Sequence, residues 1–303
     1  MAKKDEPFMV KSGYPSVVVL PDMETPEPTI LDFLEKRFPT ISRHTWETRM
    51  KKGNVHDELD RPISINSPYV PGKRVHYYRE VEKEAPIPFT ENIIYKDPHL
   101  LVVCKPHFLP VIPAGPYVNE CLLNRLKRIT DNPFLTPVNR IDRETAGLVV
   151  FSVQKDTRAI YHDLFMGSRV NKTYEAICVN TRLAQRSEWV VENRIVRGTP
   201  FFRMKTENGI PNARTHIHLV KSTKSKIFFR LNPITGKKHQ LRLHLSSLGY
   251  GILNDRYYPN LLPEKEPDFS NPLQLLAKTL SFKDPFTGKK LEFSSPRTLS
   301  KDW

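Results

Sequence analysis

Short apolar runs, rich in β-branched and aromatic residues, dominate the hydrophobic pattern after residue 90. Leu148-Val149-Val150-Phe151, following Gly147, reads as a buried strand. Ile93-Ile94-Tyr95 and Leu100 to Cys104 read as two strands joined by a turn at Asp97-Pro98. Val170–Val179 and Ile227–Leu231 are two more. Leu273–Phe293 reads as a strand pair around the turn Asp284-Pro285-Phe286-Thr287-Gly288. Helical spacing is rarer. Leu122, Leu123, Leu126 and Ile129 share one face of a helix predicted over Val118–Ile129, and further helices are expected over Thr157–Phe165 and Leu241–Leu248. Near the N-terminus, Ile30, Leu31, Phe33 and Leu34 begin a helix that ends near Phe38-Pro39. Ser42 caps a second one through Trp46, Arg49 and Met50, stopped at Gly53. Strand-like runs at Ser16–Leu20 and Arg74–Tyr78 flank this helix pair. Strands outnumber helices without regular β-α-β alternation, which argues against a doubly wound parallel sheet.

Punctuation divides the chain further. Residues 1–28 read as an N-terminal arm and 29–80 as a small helix-pair-and-sheet module. Pro86 and Pro88 mark a linker over 81–90, and 91–303 form the larger domain. The Pro-rich stretch between Tyr258 and Pro272 reads as a surface loop.

Composition changes this picture in one respect. A chain of 303 residues with 39% hydrophobic and 26% charged content is ordinary for a globular protein. A net charge of +14, from 47 Lys+Arg against 33 Asp+Glu, is not, and it favours a polyanionic partner. No apolar run is long enough to cross a bilayer, and no signal-peptide core follows Lys3 and Lys4. Cys104, Cys121 and Cys178 are odd in number and far apart, so neither a disulfide framework nor a metal-ligand pattern is expected, and the chain reads as cytoplasmic. His239 and His244 lie five apart, without a third ligand at metal spacing, so no metal is expected.

The candidate chemistry centres on Asn139 to Ser152, where Arg140, Asp142, Arg143 and Glu144 feed directly into the buried run. A carboxylate at the mouth of a core strand has the rigid support that catalysis needs. Read alone, Asp142 also fits a loop salt bridge with Arg140 or Arg143.

Three separated pieces alter the balance. Asn139-Arg140-Ile141-Asp142-Arg143-Glu144-Thr145-Ala146-Gly147-Leu148 resembles the signature H-R-L-D-x-x-T-S-G-L of the pseudouridine synthase family that acts on large-subunit rRNA and tRNA. Asn139 and Ala146 replace its His and Ser. Lys172-Thr173-Tyr174 matches a K-x-Y element, and Thr235-Gly236-Lys237-Lys238-His239-Gln240-Leu241-Arg242-Leu243-His244 is close to T-G-R-T-H-Q-I-R-V-H. The similarity covers roughly residues 91–296. It implies an α+β fold, a mixed, mostly antiparallel sheet with flanking helices. It also implies an isomerase that detaches uracil from its ribose, rotates it and rejoins it through carbon 5, with no cofactor because the base is both leaving group and returning nucleophile. On that resemblance Asp142 acts at the sugar, Arg242 pairs with it and Tyr174 packs on the target base; Arg140, Lys172 and His239 are candidates for holding the flipped nucleotide or its phosphates. Lys105, in a Lys-Pro pair the family shares, reads either as phosphate-facing or as an exposed loop cation.

The 29–80 segment, with Arg37, Arg43, Arg49, Lys51 and Lys52 clustered, resembles the RNA-binding module of a ribosomal small-subunit protein that often precedes this synthase type. The expected partner is RNA, ribosomal or transfer, with no membrane; a monomer is expected, although nothing in the sequence fixes oligomeric state. The rival reading is a non-catalytic RNA-binding or ribosome-assembly factor that keeps the fold. A nucleotide hydrolase is disfavoured, since no G-x-x-x-x-G-K-[ST] loop is present.

Overall fold

The computed structural model describes residues 9–180, 186–263 and 268–300. It separates into two compact units. One comprises Met1–Ala85 with Ala114–Asn119, the other Pro86–Pro113 with Glu120–Trp303.

In the first unit, strands β1 (Val10–Lys11) and β2 (Ser16–Val19) precede helices α1 (Ile30–Arg37) and α2 (Arg43–Lys51), followed by β3 (Val55–His56), β4 (Arg74–Tyr77) and β5 (Glu80–Val81). Thr29 and Asp32 close a capping box at the start of α1, and Ser42 accepts from the Thr45 amide at the start of α2. Both helices press Leu31, Phe33, Leu34, Trp46 and Met50 onto the sheet β2-β4-β3. The basic cluster expected here is partly consumed inside the unit. Arg43 lies 2.8 Å from Asp32, 2.9 Å from Glu35 and 3.4 Å from Glu47, and Arg49 is buried against Glu80 at 3.0 Å. Arg37 and Lys51 remain exposed.

In the second unit, β6 (Asn92–Lys96) and β7 (Leu100–Lys105) form the expected hairpin. Next come α3 (Leu122–Thr130), β8 (Thr136–Pro137), β9 (Ala146–Ser152), α4 (Arg158–Met166) and β10 (Asn171–Val179). β11 (Glu188–Arg197), β12 (Met204–Glu207), β13 (Ala213–Ser222), β14 (Lys226–Pro233), α5 (Gln240–Ser247), β15 (Leu275–Lys283) and β16 (Lys290–Ser294) complete it. The sheet runs β12-β11-β13-β14-β10-β15-β9-β7-β6, with β16 on β15 and β8 on β9. Among the described residues every ladder is antiparallel except β9 beside β15. α4 covers β7 and β9 through Tyr161 and Leu164, and α5 covers β10, β13 and β14 through Leu241 and Leu245. The α+β fold with a mixed, mostly antiparallel sheet is as expected.

β9 is buried at all seven positions. Gly147 is fixed there on two counts: its φ is +117°, and a Cβ would lie 2.2 Å from the Ala277 carbonyl oxygen in β15. One expectation on secondary structure needs correcting. The helix predicted from Val118 begins at Leu122, because the Val118 and Asn119 amides donate to the Glu84 carboxylate at 2.6 and 2.7 Å rather than joining a helix. Between Tyr258 and Pro272 the described residues form the expected surface loop, with 259–263 exposed; 264–267 lie outside the described residues.

Candidate active site

Asp142 sits in the turn that feeds β9, and three hydrogen bonds hold that turn. The Thr145 amide donates to the Asp142 carbonyl at 3.1 Å, Lys105 Nζ donates to the Arg143 carbonyl at 3.0 Å, and His107 Nδ1 donates to the Glu144 carbonyl at 2.6 Å. Lys105 is therefore neither phosphate-facing nor an exposed loop cation. It is wholly buried, and its ammonium also donates to the carbonyls of Pro106 and Leu109 at 2.9 and 2.7 Å. Burial pulls its pKa down to about 7 against the opposing pull of Glu144 and Asp142. The family departures are absorbed by packing. Asn139 Oδ1 accepts from the Val150 amide at 2.8 Å, and Ala146 lies in an apolar cluster with Ile177, Leu276 and Leu299.

Arg242 projects from the first turn of α5 toward this loop. Its Nη1 lies 3.3 Å from Asp142 Oδ2, while its Nε and Nη2 form a fork on Asp255 at 2.8 and 2.6 Å. Its side chain is 2% exposed, so it is not a helix-surface arginine. Burial opposes its charge, but the fork on Asp255 and the charges of Asp142 and Glu144 outweigh that and hold its pKa above the ordinary value. Asp255 is braced in turn by the amides of Tyr257 and Tyr258 at 2.8 and 3.1 Å. The rings of Tyr257 and Tyr258 lie 4.9 and 5.3 Å from the Arg242 guanidinium carbon. Sequence reasoning did not pick out Asp255, Tyr257 or Tyr258. The available signal was Asp255-Arg256-Tyr257-Tyr258 just beyond α5, an acid and two aromatics within reach of an arginine that needs a counter-charge.

His239 precedes α5 in left-handed backbone, with φ at 55°. Its Nδ1 is 2.9 Å from the Tyr258 hydroxyl, and its Nε2 is 3.9 Å from Asp142 Oδ1. Burial pulls this imidazole down to about 4, against the attraction of Asp142. At neutral pH it is uncharged and supplies a hydrogen-bonding edge, not a cation for phosphate. The rest of the motif is scaffold: Thr235 donates to Gln240 Oε1, Gln240 donates to Thr215, Thr215 donates to His244 Nδ1, and His244 Nε2 donates to Asn193. Both ring nitrogens of His244 are thereby occupied, and burial lowers its pKa to about 4.

Tyr174 lies in β10 opposite Leu231 and Ala277 and packs against the cluster containing Leu241 and Leu245. Burial and the charge of Asp142 push its phenol up, so it stays protonated. Arg140 is exposed at the edge of the Asp142 loop. Among the described residues neither Arg140 nor Lys172 forms an ion pair with Asp142, and burial alone lowers the Lys172 pKa.

The two histidines bear on stability. A histidine kept neutral in the fold, with a pKa of about 4 against 6.5 unfolded, stabilises fully above pH 6.5; that contribution is lost as pH falls from 6.5 toward 4. His239 and His244 should each cost about 2 kcal/mol at pH 5 relative to pH 7.5. A calorimetric pH series should show the melting temperature falling between pH 6.5 and 5, and a flat profile there would refute the burial argument.

Comparison with known proteins matches the chain to one family. The model of RNA pseudouridylate synthases matches residues 99–247, a span holding Asp142, Tyr174 and Arg242. A dual-specificity RNA pseudouridine synthase RluA of Pasteurella multocida is 31% identical over 216 residues, covering 68% of this chain and 92% of the relative. An uncharacterized RNA pseudouridine synthase of Synechocystis is 26% identical, covering 76% of this chain and 79% of its own. Among solved structures, human RNA pseudouridylate synthase domain containing 4 superposes with a TM-score of 0.53 at 28% identity, covering 69% of this chain and 88% of that one.

Proposed function

The chain belongs to the RNA pseudouridylate synthase family, and we propose that it isomerises uridines of ribosomal or transfer RNA to pseudouridine through Asp142. The observation that carries the mechanism is the Asp142–Arg242–Asp255 arrangement: a partly exposed carboxylate, on a braced loop, beside a buried guanidinium already neutralised by a second carboxylate. Asp255 takes two of the arginine's donor nitrogens and fixes its plane, which leaves the third beside Asp142 and the Asp142 carboxylate oriented to act on ribose carbon 1′. The N1–C1′ bond breaks and uracil turns. C5 then bonds to C1′, the C5 proton leaves and N1 takes up a proton, so atoms balance without a second reactant. Tyr174, protonated and set in the apolar wall, gives the base a face to pack on. Arg140, exposed at the rim, is suited to the flipped nucleotide's phosphate. His239, neutral, serves better as a hydrogen-bonding edge toward Asp142.

In the first unit, RNA binding would rest on exposed residues such as Arg37 and Lys51. Cys104, Cys121 and Cys178 are buried and in no disulfide, which supports a reducing compartment, the cytoplasm.

Arg242→Lys tests the geometry. A lysine offers one point charge and cannot fork Asp255 while reaching Asp142. Single-turnover rates should fall about a hundred-fold with RNA affinity nearly unchanged; an unaltered rate would show that the fork is not needed. The reaction itself is tested on ribosomal and transfer RNA from cells lacking the protein, with pseudouridine mapped by chemical labelling. A site restored by the purified wild type supports the enzyme. Binding without any new site would favour the assembly-factor reading.

A further inference from the structure

Phe201 is 82% exposed, yet the loop that carries it is tightly built. The Gly198 amide donates to the Arg203 carbonyl at 3.0 Å and the Arg203 amide to the Pro200 carbonyl at 2.9 Å, closing the turn between β11 and β12. That turn is anchored beside the active site: the Met204 amide donates to the Tyr258 hydroxyl at 2.7 Å, and Arg203 Nη2 donates to the Pro259 carbonyl at 3.1 Å. An aromatic series runs outward from the catalytic arginine. The Tyr257 ring lies 4.9 Å from the Arg242 guanidinium, Phe202 lies 5.3 Å from Tyr257, and Phe201 lies 5.7 Å from Phe202. Arg197 and Lys205, both exposed, flank the turn.

An exposed ring on a hydrogen-bonded turn, between cations and at the end of an aromatic series leading to a nucleotide site, is suited to stacking on a planar partner. We propose that Phe201, backed by Phe202 and Tyr257, is a stacking platform for unpaired bases flanking the target uridine, with Arg197 and Lys205 on the adjoining phosphates. This rests on RNA being the substrate, and it adds a preference for a single-stranded or looped target over continuous duplex. Unpaired bases can present a free face to an aromatic ring, whereas bases inside a duplex already stack on their neighbours through both faces, so the platform discriminates by strand state rather than by sequence.

The test uses the full chain and two probes: a 12-nucleotide single-stranded RNA of mixed sequence and the same strand annealed to its complement. Phe201→Ala, at an exposed position, should weaken single-strand binding about ten-fold and leave duplex binding within about two-fold, and Phe201→Trp should restore or exceed wild-type affinity for the single strand. Single-strand affinity unchanged in Phe201→Ala, an equal loss on both probes, or no rescue by tryptophan would overturn the platform. The assay reads binding alone. A wild type that fails to make pseudouridine would therefore remove the enzymatic reading without bearing on this result.

Discussion

Asp142→Asn is expected to lower turnover by at least about 10⁴-fold while RNA affinity changes by less than about three-fold. Asparagine keeps the shape of the side chain and removes the carboxylate proposed to act at the sugar. The substitution is clean because of Asp255. With Asp142 neutral, Arg242 still has the two-bond fork on Asp255, so no buried charge is left uncompensated. The turn is held by main-chain contacts of Asp142, Arg143 and Glu144, which asparagine leaves in place. Stability should therefore stay within about 1 kcal/mol of wild type. Single-turnover kinetics beside equilibrium binding separates the two effects, and turnover retained within ten-fold of wild type would remove Asp142 from the chemistry.

Gly147→Ala is expected to cost the fold about 4 kcal/mol or more, a fall of roughly 10 °C in melting temperature. Two costs combine. At φ +117° any Cβ is strained, by about 1–3 kcal/mol. The new methyl would also lie 2.2 Å from the Ala277 carbonyl oxygen and 2.7 Å from its nitrogen, so β15 itself must shift. That contact belongs to the one parallel ladder among the described residues, and Gly147 is five residues beyond Asp142, so the displacement also loosens the site. Gly236→Ala serves as the control: a Cβ there meets nothing within 4 Å, and its melting temperature should move little. Equal melting temperatures for the two variants would refute the close-packing argument.

What the sequence disclosed followed its local patterns. β9 was legible because an unbroken apolar run has one physical outcome, burial between neighbours. β6 and β7 were legible because Asp97-Pro98 separates two such runs. β11 was harder: its burial alternates and its exposed positions include Glu188, Glu192 and Arg194, so no continuous run announces it. The start of α3 depended on Glu84, a carboxylate more than thirty residues away. The same division holds at the site. Asp142, Tyr174 and Arg242 each stand inside a recognisable motif, whereas Asp255 is tied to Arg242 only by the path of the chain after α5. Lys105 is the sharpest case. A lysine is expected in water, and its burial was invisible because its acceptors are main-chain carbonyls of Pro106, Leu109 and Arg143, brought together by two loops.

The central claim is that this chain moves uracil from N1 to C5, a change that must release the hydrogen at C5. The most direct measurement is single-turnover release of tritium from ribosomal and transfer RNA labelled at uridine C5, taken from cells lacking the protein. Wild type should release tritium to water in proportion to the pseudouridine formed, and Asp142→Asn should release none. RNA bound by wild type without tritium release, or equal release by both proteins, would contradict it.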